Sequence, residues 1–222
     1  MAEKSEGISE STETKNAWDD IFRIEGEVFS KPQEDMPRIE KLFEKKGVKR
    51  VLDLGCGSGR HSAYLAEHGF NVSGIDAAPE GIEIARKKLE AKKLEADLRV
   101  GDIYQKLPYP DGSFEAIVST QVMHHNTIGN IRELIREMER VLAPKGVVFI
   151  TVSKRGRKKD EKEIAPDTFV PMSGGEEGLP HHYFNEETLR KEFGNFEIND
   201  IWEEKGGGHW CLLGELKDQK TE

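Results

Sequence analysis

The sequence predicts an α/β three-layer sandwich, a mostly parallel sheet covered by helices on both faces. Three observations predict it. Between residues 50 and 152, short apolar runs alternate with helical patterns, the order that builds parallel strands joined by helical crossovers. The stretch "RVLDLGCGSGRHSAYLAEHGFNVSGID" (50–76) reads as strand, glycine turn, helix and strand with an acidic end. The chain then closes on two apolar runs joined by "KGGG", a hairpin that places one antiparallel strand in the sheet. A length of 222 residues suits one domain of this kind with little left over.

Each element has its own signal. "MAEKSEGISESTETKN" lacks the apolar segment of a secretory signal, and residues 1–15 are expected to form a disordered tail before a single domain over 16–222. Residues 16–47 predict a helical flap in short pieces, interrupted near Pro32 and Pro37. The second piece, from about Pro37 to Lys46, carries Ile39, Leu42 and Phe43 on one face. "RVLDL" is a buried strand, and "RHSAYLAEHG" a helix stopped by Gly69. "NVSGID" is the second strand. "PEGIEIARKKLEAKK" is a helix with Pro79 in its first turn and Ile82, Ala85 and Leu89 facing the core. "DLRVGD" and "DGSFEAIVST" supply two further strands. "NIRELIREMERVLAPKG" is the clearest helix, with Ile131, Leu134, Ile135, Met138, Val141 and Leu142 in one stripe, ended by Pro144 and Gly146. "VVFITV" is the β-richest run. Residues 153–184 turn basic and then Pro- and Gly-rich, predicting a long irregular insertion of the kind that often covers a site. "NEETLRKEFG" is a short helix capped by Asn185.

Composition narrows the function classes. Hydrophobic residues make up 36% and charged residues 34%, as in a polar globular protein, and no apolar run approaches the ~18 residues that span a bilayer. Cys56 and Cys211 are too few for a disulfide scaffold, so a reducing, cytoplasmic location is expected. The net charge of −9 disfavours general binding to nucleic acid or anionic membrane, although "SKRGRKKDEK" (153–162) is a local basic patch.

In open α/β sheets, ligands bind beyond the carboxyl ends of the strands where strand order reverses, and the turn "DLGCGSGR" belongs there. Gly55, Gly57 and Gly59 let the backbone turn sharply and approach a ligand, and Asp76 can accept from both hydroxyls of a ribose. A dinucleotide fingerprint requires G-x-G-x-x-G. Counted from Gly55, its third glycine falls where Arg60 stands, which would also crowd the helix–strand packing that glycine serves. The nicotinamide reading is weakened.

The same stretch resembles the first motif of class I S-adenosylmethionine-dependent methyltransferases, followed by their acidic second motif. "GDIYQKLPYPDGSFEAIVSTQVMHH" is similar to their adenine-contacting motif and fourth strand, and "REMERVLAPKGVVFIT" to their helix–turn–strand signature. "WDDIFRIEG" resembles branches that include tellurite-resistance and thiopurine methyltransferases. The resemblance covers about residues 50–152 and implies a Rossmann-like, seven-stranded, mostly parallel sheet with its last strand antiparallel. It implies S-adenosylmethionine as cofactor and S-adenosylhomocysteine as product. By that resemblance, the Gly55–Cys56–Gly57 backbone lies along the methionine part, and Asp53 bonds its ammonium directly or through water. Asp76 takes the ribose hydroxyls, Ala77 lines the adenine, Asp102 bonds the adenine amine and Ile103 packs on the ring. Thr120 and Gln121 approach the sulfonium, and Arg60 is a partner for the cofactor carboxylate. Where the family often has Ser or Thr, this chain has Ala78, a weaker helix cap by ~1 kcal/mol.

Methyl transfer from a sulfonium needs chiefly alignment, with a base only when the acceptor must lose a proton. His124 and His125, after the fourth strand, and His181 and His182, in "GLPHHYF", are the candidate bases or substrate contacts. Hydrogen bonding at the start of the next helix explains the first pair equally well, while His209 reads as structural. Adjacent histidines do not share a helix face, so a metal site would need the two pairs to converge, and none is expected. Trp18, Phe22 and Tyr183 are candidates to cover the sulfonium, Trp18 first, against simple packing of a flap. Cys56 suits the turn because it is small. These readings converge on a methyltransferase acting on a small molecule. The alternatives are an RNA methyltransferase using the 153–162 patch, by similarity to transfer-RNA enzymes, and a non-catalytic cofactor-binding module.

Overall fold

The computed structural model of the protein describes residues 10–154 and 160–218. Two helices come first, α1 (Glu10–Glu25) and α2 (Met36–Lys46). The alternating unit follows as β1 (Arg50–Leu54), α3 (Arg60–Glu67), β2 (Asn71–Asp76), α4 (Pro79–Lys92) and β3 (Asp97–Val100). Its second half is β4 (Phe114–Thr120), α5 (Ile128–Val141) and β5 (Leu142–Ser153). After β6 (Glu161–Ala165), β7 (Thr168–Pro171) and β8 (His181–His182) come α6 (Glu186–Glu192), β9 (Phe196–Glu203) and β10 (His209–Leu216).

The main sheet has seven strands in the order β3-β2-β1-β4-β5-β10-β9. β1 pairs in parallel with both β2 and β4, while β10 runs antiparallel to both its neighbours, β5 and β9. This is the expected Rossmann-like sandwich, its last strand reversed. The chain reverses its winding between β1 and β4, which opens a crevice at their carboxyl ends.

Period-two alternation divides the core between the sheet's faces. Leu52, Ile117, Ile150 and Leu212 meet the α5 stripe of Ile131, Leu134 and Met138. Their neighbours Val51, Val118, Phe149 and Cys211 meet Met36, Ile39 and Phe43 of α2. Every one of these side chains is fully buried. Each central strand is therefore apolar on both sides, which is why "RVLDL" and "VVFITV" read as continuous runs.

Three expectations change. The first helix begins at Glu10, inside the stretch expected to be a tail. The insertion is not irregular throughout: β6, β7 and β8 form a separate antiparallel sheet, with β6 and β7 turning at Pro166–Asp167, where Asp167 takes φ +54°. β5 starts already at Leu142, pairing with Phe114 before the turn through Pro144 and Gly146. At α4, Ala78 makes no side-chain cap, but Asp19 of α1 accepts a hydrogen bond from the Glu80 amide at 2.8 Å. The flap helix thus caps α4 from outside. Asn185 caps α6 as expected, in a reciprocal capping box with Thr188. Among the described residues, no helix is long and apolar enough to cross a membrane.

Candidate functional site

The crevice is a cleft with about 880 Å³ of empty space, its open mouth included. Gly55, Cys56 and Gly57 form its floor, Asp76 and Ala77 one wall, and Trp18, Phe22 and Phe29 its roof. The floor must be glycine at its tightest point: Gly55 has φ +78°, and a Cβ there would stand 2.3 Å from a Val122 methyl. The amides of Gly55 and Cys56 both donate to the Ile75 carbonyl, which folds the turn back over the end of β2. Asp76 accepts from the amides of Gly57 (2.8 Å) and Ala78 (2.9 Å). Burial raises its carboxyl and these backbone donors pull it back. Cys56 is buried, which pushes its thiol well up and makes it inert as a nucleophile.

Of the twelve residues expected at the cofactor, all but Asp53 line this cleft. Asp53 lies beneath the floor, 1% exposed, where the Ser62 hydroxyl donates to it at 2.6 Å. Burial pushes its carboxyl up to about 6, opposed by that hydrogen bond and by the charge of Arg60. Direct contact with a ligand in the cleft is replaced by a position supporting the turn.

Arg60 opens α3 and points across the cleft, donating to Gln121 Oε1 at 3.1 Å and Thr120 Oγ1 at 3.4 Å, with its guanidinium 4.9 Å from the centre of the Phe29 ring. Gln121 has φ +60°, a left-handed conformation uncommon for a residue with a side chain, and its amide donates to Thr151 Oγ1 at 2.9 Å. The chain is thus held sharply bent at the end of β4, where Thr120 and Gln121 meet the cleft. Asp102 accepts from the Tyr104 amide at 2.9 Å, and Ile103 is buried beside it.

The two histidine pairs converge. Ring centres stand 4.1 Å apart for His124–His125, 4.6 Å for His125–His181 and 5.8 Å for His124–His181. All three rings are buried, and His125 also borders the cleft, with the Trp18 ring 5.2 Å away. The join is made by backbone, since the His182 amide donates to the His124 carbonyl at 2.8 Å. The His182 ring turns elsewhere, its Nδ1 2.9 Å from Thr168 Oγ1 and its face edge-on to Phe184, so it leaves the candidate bases. Tyr183 leaves the cleft too, its hydroxyl donating to Glu161 at 2.5 Å.

Sequence reasoning missed Phe29, His61 and Tyr104 in the wall. His61 is buried and pushed well below its usual pKa by burial. It accepts the Gln33 amide at Nε2 (3.0 Å), and its Nδ1 stands 3.1 Å from Thr120 Oγ1. It ties the segment that carries Phe29 to α3 and β4. Its signal was its position beside Arg60 at the start of α3; Phe29 lies in a stretch without period and gave none. Of the basic patch, residues 155–159 lie outside the described residues, and Lys154 pairs with Glu203 at 2.6 Å.

Residues 51–146 match a sequence family described as a methyltransferase domain. The match runs from β1 into β5, within a chain whose whole main sheet has the Rossmann-like methyltransferase fold. The demethylmenaquinone methyltransferase of Thermus thermophilus is 38% identical over 115 residues, 51% of each chain. The chain spans about half the length of the curated relatives it matches. Among solved structures, the 1,6-didemethyltoxoflavin N1-methyltransferase of Burkholderia thailandensis superposes with a TM-score of 0.73 at 16% identity, covering 98% of this chain and 93% of that one. The [4+2]-cyclase SpnF has the same fold, with a TM-score of 0.68 at 18% identity, covering 93% of this chain and 96% of that one.

The toxoflavin enzyme's structure holds S-adenosylhomocysteine, the product left when S-adenosylmethionine gives up its methyl group. The cleft's chemistry fits it. A glycine floor admits close backbone approach, Asp76 keeps acceptor capacity beyond its two backbone bonds, Ile103 offers an apolar face, and Trp18 and Phe22 offer aromatic cover for a sulfonium.

Proposed function

We propose that this chain transfers a methyl group from S-adenosylmethionine to a small-molecule acceptor bound between the cleft and the histidine cluster. The observation that carries the reading is the roof. Trp18, Phe22 and Phe29 line the cleft with aromatic rings, the apolar lining of a small-ligand pocket, which suits a small acceptor better than a polymer strand. Relatives named for demethylmenaquinone and 1,6-didemethyltoxoflavin support the same acceptor class. The cofactor supplies an already activated methyl group. The chain's residues bind, align and exclude water. Asp76 holds the ribose, Asp102 and Ile103 the adenine, and Arg60 the carboxylate end, where burial makes its charge count for more. Residues 16–47 serve as the flap, and the insertion covers the acceptor side. His125 is the member of the histidine cluster that borders the cleft and forms part of the wall against the acceptor.

Calorimetric titration with S-adenosylhomocysteine tests the cofactor. Removing the carboxylate in Asp76→Ala should weaken binding by about 10–100-fold, the value of ~1.5–3 kcal/mol for hydrogen bonds to a charged group. Labelled methyl transfer into extract fractions tests the acceptor. Label in a small-molecule fraction supports the reading, and label removed by nuclease overturns it in favour of RNA. Tight cofactor binding with no transfer to any fraction would make the chain a binding module, and the cyclase of the same fold makes that outcome a real contest.

A further inference from the structure

We propose that His124, His125 and His181 bind a first-row divalent transition metal, with Glu176 as fourth donor, and that the ion fastens the insertion to the core beside the acceptor. One nitrogen from each histidine lies within 4.8 Å of the others, with all three residues buried. In a tetrahedral site with metal–nitrogen bonds of ~2.0–2.1 Å, ligand atoms stand about 3.4 Å apart. The cluster would have to contract by about an ångström to reach that spacing.

The His181 ring supplies a second argument. Its Nδ1 is 2.9 Å from the Leu179 carbonyl, a group that only accepts, so Nδ1 carries the proton. In the neutral ring Nε2 then presents a lone pair, and it faces Glu176 Oε2 at 3.1 Å. Two acceptors face each other unless a cation lies between them. A backbone carbonyl that fixes one ring nitrogen so that the other can ligate is the usual support of a metal-bound histidine. The other Glu176 oxygen is 4.0 Å from His125 Nε2, so the carboxylate spans two of the three imidazoles. A proton on His181 would satisfy one such contact. Charging all three rings would set like charges within 4.8 Å of one another. One metal ion serves every member. Three imidazoles and a carboxylate suit zinc, cobalt, nickel or ferrous iron rather than magnesium or calcium. Glu176, 40% exposed, marks the route of entry.

The ion would join the loop after β4 to β8, elements far apart in sequence. The site does not depend on the proposed reaction, so it can fail or stand apart from it. The test uses the full chain, stripped with a chelator and dialysed against Co²⁺, with metal content and the visible spectrum as readouts. The expected result is one Co²⁺ per chain, absorption bands of tetrahedral coordination, and slower proteolysis within 160–184. His181→Gln and His125→Gln should each weaken Co²⁺ binding by about a hundredfold or more, whereas His68→Gln, exposed at the C-terminal cap of α3 and outside the cluster, should leave it unchanged. Failure of the unmutated chain to take up stoichiometric Co²⁺ overturns the proposal without reference to any variant. So does uptake that is undiminished in a His181→Gln protein with unchanged S-adenosylhomocysteine affinity. If Co²⁺ binds and S-adenosylhomocysteine does not, the cation site stands and the methyltransferase reading falls.

Discussion

The floor of the cleft comes from one continuous stretch, in which β1, a glycine turn, α3 and β2 deliver Gly55, Gly57, Arg60 and Asp76. The histidine cluster beside the cleft is drawn from the loop after β4 and from β8, joined by the backbone hydrogen bond from His182 to His124. The first region is shaped by rules that act over a few residues: positive φ at glycines, a strand's pleat, a helix start. The second exists only once the insertion has docked. A local site tolerates little change within itself, whereas an assembled site is exposed to anything that loosens a joint.

The same substitution placed in each region should expose the difference. Gly59 has φ +75°, and a Cβ there would stand 2.6 Å from the Cβ of Ala85 in α4. Gly59→Ala adds left-handed strain to an overpacked contact, and unfolding in urea should show a loss of about 3 kcal/mol. Gly178, in the insertion, has φ +83° with nothing within 4 Å of such a Cβ. Gly178→Ala should cost about 1 kcal/mol, the strain alone. Equal losses would remove packing from the account of the turn.

The next effect in size is electrostatic and also belongs to the turn. The Asp53 carboxyl titrates at about 6 in the folded chain, mainly because it is buried. In the unfolded chain it titrates near 3.9, so between those values the folded state binds more protons. Stability from this group is therefore greatest at about pH 4 and falls as pH rises to about 6, by at most about 2–3 kcal/mol. Asp53→Asn removes the dependence. Relative to the unmutated chain, the variant should gain stability between pH 4 and pH 7 in urea titrations. A constant gap would mean that Asp53 is ionised in the fold throughout.

These regions were unequally legible in the sequence. The turn could be read because only glycine meets its backbone demands and because Arg60, standing where a third glycine would fall, spoke against a dinucleotide. The sheet could be read because Val51 and Leu52, or Phe149 and Ile150, each need an apolar partner on opposite faces. Asp19 capping α4 could not be foreseen, since the sequence shows only that Ala78 lacks a hydroxyl, not what replaces it. The β6–β7 hairpin carried its signal in Pro166–Asp167, obscured by the basic and glycine-rich residues around it. His181 and His125 are each unremarkable alone, and their meeting is a tertiary fact.

The smallest effect tests the joint between the regions. Asp19 Oδ1 accepts the Glu80 amide, and the Trp18 and Phe22 rings on the same helix roof the cleft. Asp19→Ala should loosen the docking of α1 by about 1 kcal/mol, the usual value of an N-terminal cap. If α1 acts as a lid, the loss should appear in the ligand and not in the core. S-adenosylhomocysteine affinity should fall about fivefold, the equivalent of ~1 kcal/mol, while the urea midpoint stays nearly constant. Asp19→Asn, which keeps an acceptor oxygen, should recover most of that affinity. A lower urea midpoint with unchanged affinity would instead make α1 part of the scaffold. The roof would then be a fixed wall of the cleft, held by the Asp19 cap as part of the folded core.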